Sequence, residues 1–562
     1  MSGAAALVAL LPLFLPSAAV AQTIGPLKHT PERTGPEITA ADLMTRLYIF
    51  ADDSMQGREA GTIGNVKGTD YIAGEIKRMG LIPGGDSGTY FQTVPLKTRS
   101  FDTTSTLTVA GAPLTAVTDY LPVARHSIDA VAVPIVFGGE LSDSLHRIAE
   151  AEAAGKLVVL KVTAGITRVR APPAVGGAVA IALIGLENLA PQVVAFFSRP
   201  QNFLDDPAVA PPETMPVLLI SSAAAAKMFT APLDQLTPGA TGGTAGLHIH
   251  YRVEPIPFPA RNVIGIIPGR DPALRGEYVA IGAHNDHLGR SRVALDHDSV
   301  RIWNHVVRPE GADDGDRRAT PAQQATVDSL LAAFRASHPG TKRADSTYNG
   351  ADDDGSGSVA ALEVAEKIAS LAAKPKRSIL FVWHTGEEKG LLGSRYFTDH
   401  PTLARDSIVA QLNMDMVGRG DADDEVGRTK DGIPIHGSPG YLQLVGSRRL
   451  STELGDLIER VNREGRHELT LDYSIDANGH PSNIYCRSDH YEYARYGIPI
   501  TFFTTGLHSD YHQLSDEPEY IDYGHMARVV RFVEDVAVHV ADLDHRVVVD
   551  HPKPDPRGPC RQ

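Results

Sequence analysis

The stretch YVAIGAHNDHLG, residues 278–289, opens on a run of apolar and small residues and then turns polar, delivering His284 and Asp286. A short, near-continuous apolar run marks a strand buried on both faces, as in a parallel sheet covered by helices. The same order of residues recurs three times downstream. Ser378 to Trp383 leads into HTGEEKG with Glu387 and Glu388, Ile408 to Met414 leads into Asp415, and Ile498 to Thr504 leads into GLHSDYHQLSD with His512. A helical pattern over Val359 to Leu371 lies between the first two of these strands. The reading is an α/β fold with a mostly parallel central sheet and helices on both faces. Ligands of such sheets bind beyond the carboxyl ends of the strands, which is where all these polar residues fall.

Upstream, Asp42 to Leu81 reads as helical, with Ile72, Ile76 and Met79 on one face and a stop near Gly80. Between Phe101 and Arg261 short β-branched runs (Val131 to Phe137, Leu157 to Val162, Val179 to Ile184, Val217 to Ile220) alternate with Gly, Pro and Ala, which reads as an inserted β-rich domain. Ala171 to Leu186, broken by Pro172, Pro173, Gly176 and Gly177, reads as sheet and turn. Residues 290–348 form a shorter insertion, either standing over the strand-end site or lying as a surface loop. The first 21 residues are apolar and end in Ala19-Val20-Ala21, the pattern of a removable export signal, and no later segment is apolar for the length of a membrane span.

The chain has 562 residues, 53 Lys+Arg against 68 Asp+Glu, a net charge of −15 and 42% hydrophobic residues. That length implies more than one core, the apolar fraction excludes a disordered chain, and the charge argues against a nucleic-acid partner. Only Cys486 and Cys560 are present, too few for a disulfide framework or a thiolate zinc site; Cys486 is either a buried thiol or the partner of Cys560. Any metal must therefore be held by carboxylates and imidazoles.

The segment GADDDGSGSVAALEVAE, starting at Gly350, satisfies the calcium-loop pattern from Asp352 to Glu363, but the stretch before it has no apolar period and cannot form the entering helix. It reads instead as an acidic turn opening a helix, and Asp353 is chosen over Asp314 in the similar GADDGD because no helix pattern follows the latter. Asp353, Glu388 and Asp415 converging with Glu387 and Asp286 would cost several kcal/mol unless cations or protons intervene. Two divalent cations would neutralise them. The donor types suit zinc, with manganese or cobalt as substitutes, and five ligands for two ions require one shared carboxylate. G-x-S-x-G and H-E-x-x-H are absent, which removes two rival hydrolase mechanisms.

The motifs AHNDHLG, GADDDGSGS, HTGEEKGLLGS, NMDMVG and YHQLSD, in this order and preceded by SMQGREAGTIGNVKGTDYIAGEIKRMGL, resemble the co-catalytic di-zinc exopeptidases, a family that includes bacterial secreted aminopeptidases, glutamate carboxypeptidases and the transferrin receptor. The resemblance implies that His284 and Asp415 bind one zinc, Glu388 and His512 the other, and Asp353 both. It also implies that Glu387 is the general base and that Asp286 orients His284. Residues 22–100 and 256–545 would then form the peptidase domain, 101–255 a protease-associated-like insert, and 546–562 a Pro-rich tail. The implied activity is hydrolysis of N-terminal residues from peptides by an exported, periplasmic or secreted enzyme. The alternatives are a carboxypeptidase or dipeptidase, a glutaminyl cyclase, or a receptor-like protein without chemistry. Leu514 stands where the family commonly has proline, and the spacer between Asp286 and Asp353 is longer than usual.

Overall fold

The apolar runs become the strands of a nine-stranded sheet in the computed structural model. The structure describes residues 24–123, 127–143, 147–162, 175, 177–189, 191–207, 215–315, 317–340 and 342–562. The export segment 1–21 and part of the Ala171 to Leu186 reading lie outside the described residues. The principal strands are β1 (Ala260–Ile267), β2 (Tyr278–His284), β3 (Ser378–His384), β4 (Ile408–Met414), β5 (Tyr441–Val445) and β6 (Ile500–Thr504). Their order across the sheet is β1-β3-β2-β4-β6-β5, with Ile82–Pro83 and Phe91–Val94 beyond β1 and Thr470–Asp472 beyond β5. The four central strands run parallel, whereas β1 is antiparallel to β3 and β5 to β6. The sheet is thus parallel through its centre, and the outermost strand Thr470–Asp472 pairs parallel with β5. That centre carries the site, because parallel neighbours bring their carboxyl ends to one edge.

Alternation along the strands feeds two cores. Val279, Ile281 and Ala283 of β2 point into one, packed under α1 (Ala40–Phe50), α2 (Ile63–Arg78), α3 (Gly357–Ser370) and α4 (Tyr523–Ala541), while Ala280 points into the other, with Phe397 and Tyr493. The N-terminal helical segment is two helices rather than one. Between α1 and α2 the chain turns through Gln56 and Gly57, both with positive φ, so the periodicity of Ile72 and Ile76 belongs to α2 alone. Residues 51–62 separate the two helices, and because Asp53–Arg58 among them is itself a 3-10 helix the helical reading ran across the break.

A second, eight-stranded sheet is built from strands between Thr106 and Ile249, with apolar clusters on both of its faces. A three-stranded sheet of Leu96–Phe101, Gln201–Leu204 and Tyr251–Pro255 stands where the chain leaves and re-enters the first unit.

Arg46 in α1 ties the helical layer together. Its fully buried guanidinium bonds Glu75 of α2 and both Glu363 and Glu366 of α3. Glu363, the last position of the calcium-like pattern, is therefore a helix-packing residue. Removing one partner of a buried ion cluster strands the others without counter-charge. Arg46→Met is expected to lower unfolding stability by about 3–5 kcal/mol, read from chemical denaturation; a loss under about 1 kcal/mol would show the cluster to be inert.

Candidate metal centre

Three consecutive aspartates follow Gly350, and their neighbours assign each a task. Asp352 Oδ1 accepts the Gly418 amide at 2.7 Å, and Asp354 accepts the His284 amide at 2.9 Å and the Gly357 amide at 2.8 Å. Both thus serve as clips that join the α3 turn to the ends of neighbouring strands. Asp353 alone keeps its carboxylate for the cleft, while its own amide and that of Asp352 donate to the Asp516 carboxylate at 3.0–3.1 Å. Arg58 completes the cradle from below: fully buried, it donates to the carbonyls of Phe50, Asn349 and Gly350 at 2.7–3.0 Å. Gly350 has φ +53°, and a Cβ there would lie 2.3 Å from the Asp353 carbonyl and 2.5 Å from the His287 ring. Only glycine fits this corner.

All seven residues expected at the site meet in one place. Asp353 Oδ1 lies 3.1 Å from His284 Nε2, and Asp353 Oδ2 lies 2.9 Å from His512 Nε2. On the first side Asp415 Oδ1 stands 3.6 Å and Glu387 Oε2 4.0 Å from His284 Nε2; on the second, Glu388 Oε2 is 3.0 Å from His512 Nε2. The Asp353 carboxylate is shared between two imidazole–carboxylate groups. His512 adopts φ +57°, a conformation that costs about 1–3 kcal/mol and is typical of functional positions.

Asp286 touches His284 differently from expectation. His284 Nδ1 meets the Asp286 carbonyl oxygen at 3.0 Å, whereas the carboxylate is 3.9 Å away and accepts the Glu387 amide at 3.1 Å. Its side chain positions the Glu387 loop, and its backbone orients the imidazole. His287, passed over in the sequence, also belongs here: its Nδ1 is 2.7 Å from Glu388 Oε1, and it groups with Asp353 and Glu388 as possible metal donors. The second histidine of HNDH was the available signal. Ser488 donates to Asp415 Oδ2 at 2.7 Å, while its neighbours Asp489 and His490 are buried away from the cluster, Asp489 against His384 at 3.3 Å. His508 and Asp510 of the loop that carries His512 are buried against Asp352 and Arg419.

Beside this cluster opens a cavity of about 320 Å³ whose lining includes the apolar side chains of Met416, Ile475, Ile484, Phe502 and Leu507. Cys486 on its wall is disulfide-bonded to Cys560 of the tail. The 290–348 insertion reaches the same wall. Asp313 holds Arg487 through two contacts of 2.5 and 2.8 Å, and the Ala312 amide donates to the Tyr511 carbonyl at 3.1 Å. Asp314 serves that insertion, bonding the Glu310 amide and Arg317.

Residues 324–537 match the family model described as Peptidase family M28. This match is in keeping with the resemblance of the motifs to co-catalytic zinc exopeptidases. Leucine aminopeptidase 1 of Trichophyton rubrum is 25% identical over 294 residues, which are 50% of this chain and 59% of that protein. Leucine aminopeptidase 1 of Coccidioides posadasii strain C735 is 30% identical over 206 residues, 34% of this chain and 47% of that one. The chain thus matches about half the length of these relatives. Among solved structures, the aminopeptidase from Aneurinibacillus sp. strain AM-1 superposes with a TM-score of 0.50 at 16% identity, over 92% of this chain and 97% of that chain, a likeness of fold.

In this cluster burial and charge crowding set the proton affinities. Burial would depress His284 and His512, but the surrounding carboxylates outweigh it: Asp415, Glu387 and Asp353 raise His284, and Glu388 and Asp353 raise His512 to about 10. Burial with Asp415 and Glu388 pushes Glu387 well above the usual carboxylate range. Burial would likewise raise Asp353 and Glu388, yet the histidines hold both low. A group whose folded pKa is raised stabilises below its unfolded pKa, about 6.5 for His, and that stability is lost as pH climbs through the folded value. The lowered carboxylates contribute fully above about pH 4.5 and do not oppose this trend. The metal-free protein is expected to lose thermal stability between pH 6.5 and 9.5, and saturating zinc to flatten the loss. Calorimetry at the two pH values, with and without zinc, checks this; a metal-free midpoint independent of pH would contradict it.

Proposed function

We propose that the chain is an exported zinc aminopeptidase holding two zinc ions, with manganese or cobalt as tolerated substitutes. The observation that carries this reading is the Asp353 carboxylate, whose two oxygens face two separate imidazole–carboxylate groups. The donors fit the ions. Buried His284 Nε2 has the Asp353 and Asp415 carboxylates at 3.1 and 3.6 Å, and imidazole with carboxylate is a donor set suited to zinc. His284 and Asp415 would hold one ion, Glu388 and His512 the other, and Asp353 both, with His287 beside Glu388. Ions so placed supply Lewis acidity, polarising the scissile carbonyl and acidifying water in the cleft.

The chain's own residues do the rest. Glu387, on the cavity wall and placed by its amide bond to Asp286, accepts the proton of the attacking water and returns it to the leaving amine; its raised proton affinity suits both steps. Ser488 fixes Asp415. The apolar lining of the cavity suits the side chain of the first residue of a peptide, and the surrounding carboxylates suit its ammonium group. The Cys486–Cys560 bond is chemistry of an oxidising compartment and supports export, as does the segment 1–21. Among the described residues no helix is long and apolar enough to cross a membrane. We read residues 101–255 as a protease-associated-like insert.

Glu387→Gln is expected to retain both ions while turnover falls by about 10²–10⁴; activity at the wild-type level would sink the base assignment. Asp353→Ala is expected to bind no zinc at these five ligands. Activity on free-amine peptides should vanish on N-acetylation, and cleavage that survives blocking would point to a carboxypeptidase or endopeptidase.

A further inference from the structure

A second group of metal-capable side chains lies where the 290–348 insertion meets the loop after His512. His297 heads the helix His297–Val307, Asp345 lies in the strand Ala344–Tyr348, and Glu517 follows Asp516. One donor atom from each lies within 4.8 Å of the others. His297 is 2% exposed, and its Nδ1 stands 3.5 Å from Asp345 Oδ2. Its Nε2 stands 3.1 Å from Tyr520 Oη, which accepts a hydrogen bond of 2.8 Å from Arg343. With Nε2–H donated to that same oxygen, Nδ1 is left facing the Asp345 carboxylate as an acceptor, an arrangement that a proton or a metal cation between them satisfies.

Asn349 steadies one member of the group. Buried to 4% exposure on the wall of a cavity of about 300 Å³ that His297, Asp345 and Glu517 also line, it donates through Nδ2 to Asp53 at 3.1 Å and to Glu517 at 2.9 Å, which holds the Glu517 carboxylate in place. The nearest guanidinium, Arg343, is already engaged by Asp298 at 3.1 Å and Glu519 at 2.6 Å.

We propose that His297, Asp345 and Glu517 bind a further divalent cation of the zinc class, apart from the ions of the Asp353 centre. The imidazole favours zinc over calcium, whose sites are built from oxygen alone. The ion would clamp the insertion, through His297 and Asp345, to the loop whose Asp516 holds the amides of Asp352 and Asp353. Its role is structural, and the proposal does not depend on the aminopeptidase reading.

The full-length protein, stripped by chelation and titrated with zinc alone under equilibrium dialysis, tests this by elemental analysis. Wild type is expected to bind three equivalents, and His297→Ala and Glu517→Gln two each with turnover retained. Glu517→Gln preserves shape and so guards against misfolding. A variant lacking the Asp353 centre, Asp353→Ala with His512→Ala, is expected to keep one equivalent that disappears when Glu517→Gln is added. Equal zinc content in wild type, His297→Ala and Glu517→Gln would overturn the site. Loss of the Asp353-centre ions alone would count against the di-zinc reading and leave this one standing.

Discussion

The crowding of carboxylates around Asp353 is the constraint on which the rest of this structure depends. Asp353, Glu387, Glu388 and Asp415 are brought together at the carboxyl edge of four parallel strands, with imidazoles of His284, His287 and His512 interleaved. No folding force favours such a cluster by itself, because like charges repel and burial penalises each one. It persists because the backbone is held from outside: Asp352, Asp354 and Asp516 accept amides, and Arg58 gathers three carbonyls. The fold thus holds a crowd of carboxylates whose charge cations or protons must offset.

Much of this was legible in the sequence because each strand is a short apolar run ending in a polar donor. β4 came out with the bounds its apolar run suggests, and β2 and β3 extend by one or two residues into the polar turn. The choice of Asp353 over Asp314 rested on the helix that follows, and the two now occupy different places, Asp353 between the histidines and Asp314 in the insertion. What escaped the sequence depends on three-dimensional neighbours. The antiparallel flanks, the break between α1 and α2, and the use of the Asp286 carbonyl instead of its carboxylate follow from chain path and backbone geometry that side-chain pattern does not encode. His287 escaped because a histidine one residue from an aspartate looks like many surface histidines.

The insertion of residues 290–348 links the site to its surroundings. Through Asp313 and Arg487 it braces the cavity wall, and through His297 and Asp345 it faces the loop beyond His512. The disulfide from Cys560 fastens the same wall from the tail. Residues far apart in the chain therefore converge on the rim, where peptide side chains would be discriminated, while the strand ends beneath supply the donors of the proposed centre.

Anomalous diffraction at the zinc edge, from crystals of the zinc-loaded protein, tests the central claim most directly. The account predicts two peaks flanking the Asp353 carboxylate, one against His284 and Asp415 and the other against Glu388 and His512. A single peak, or two that do not share Asp353, would contradict it.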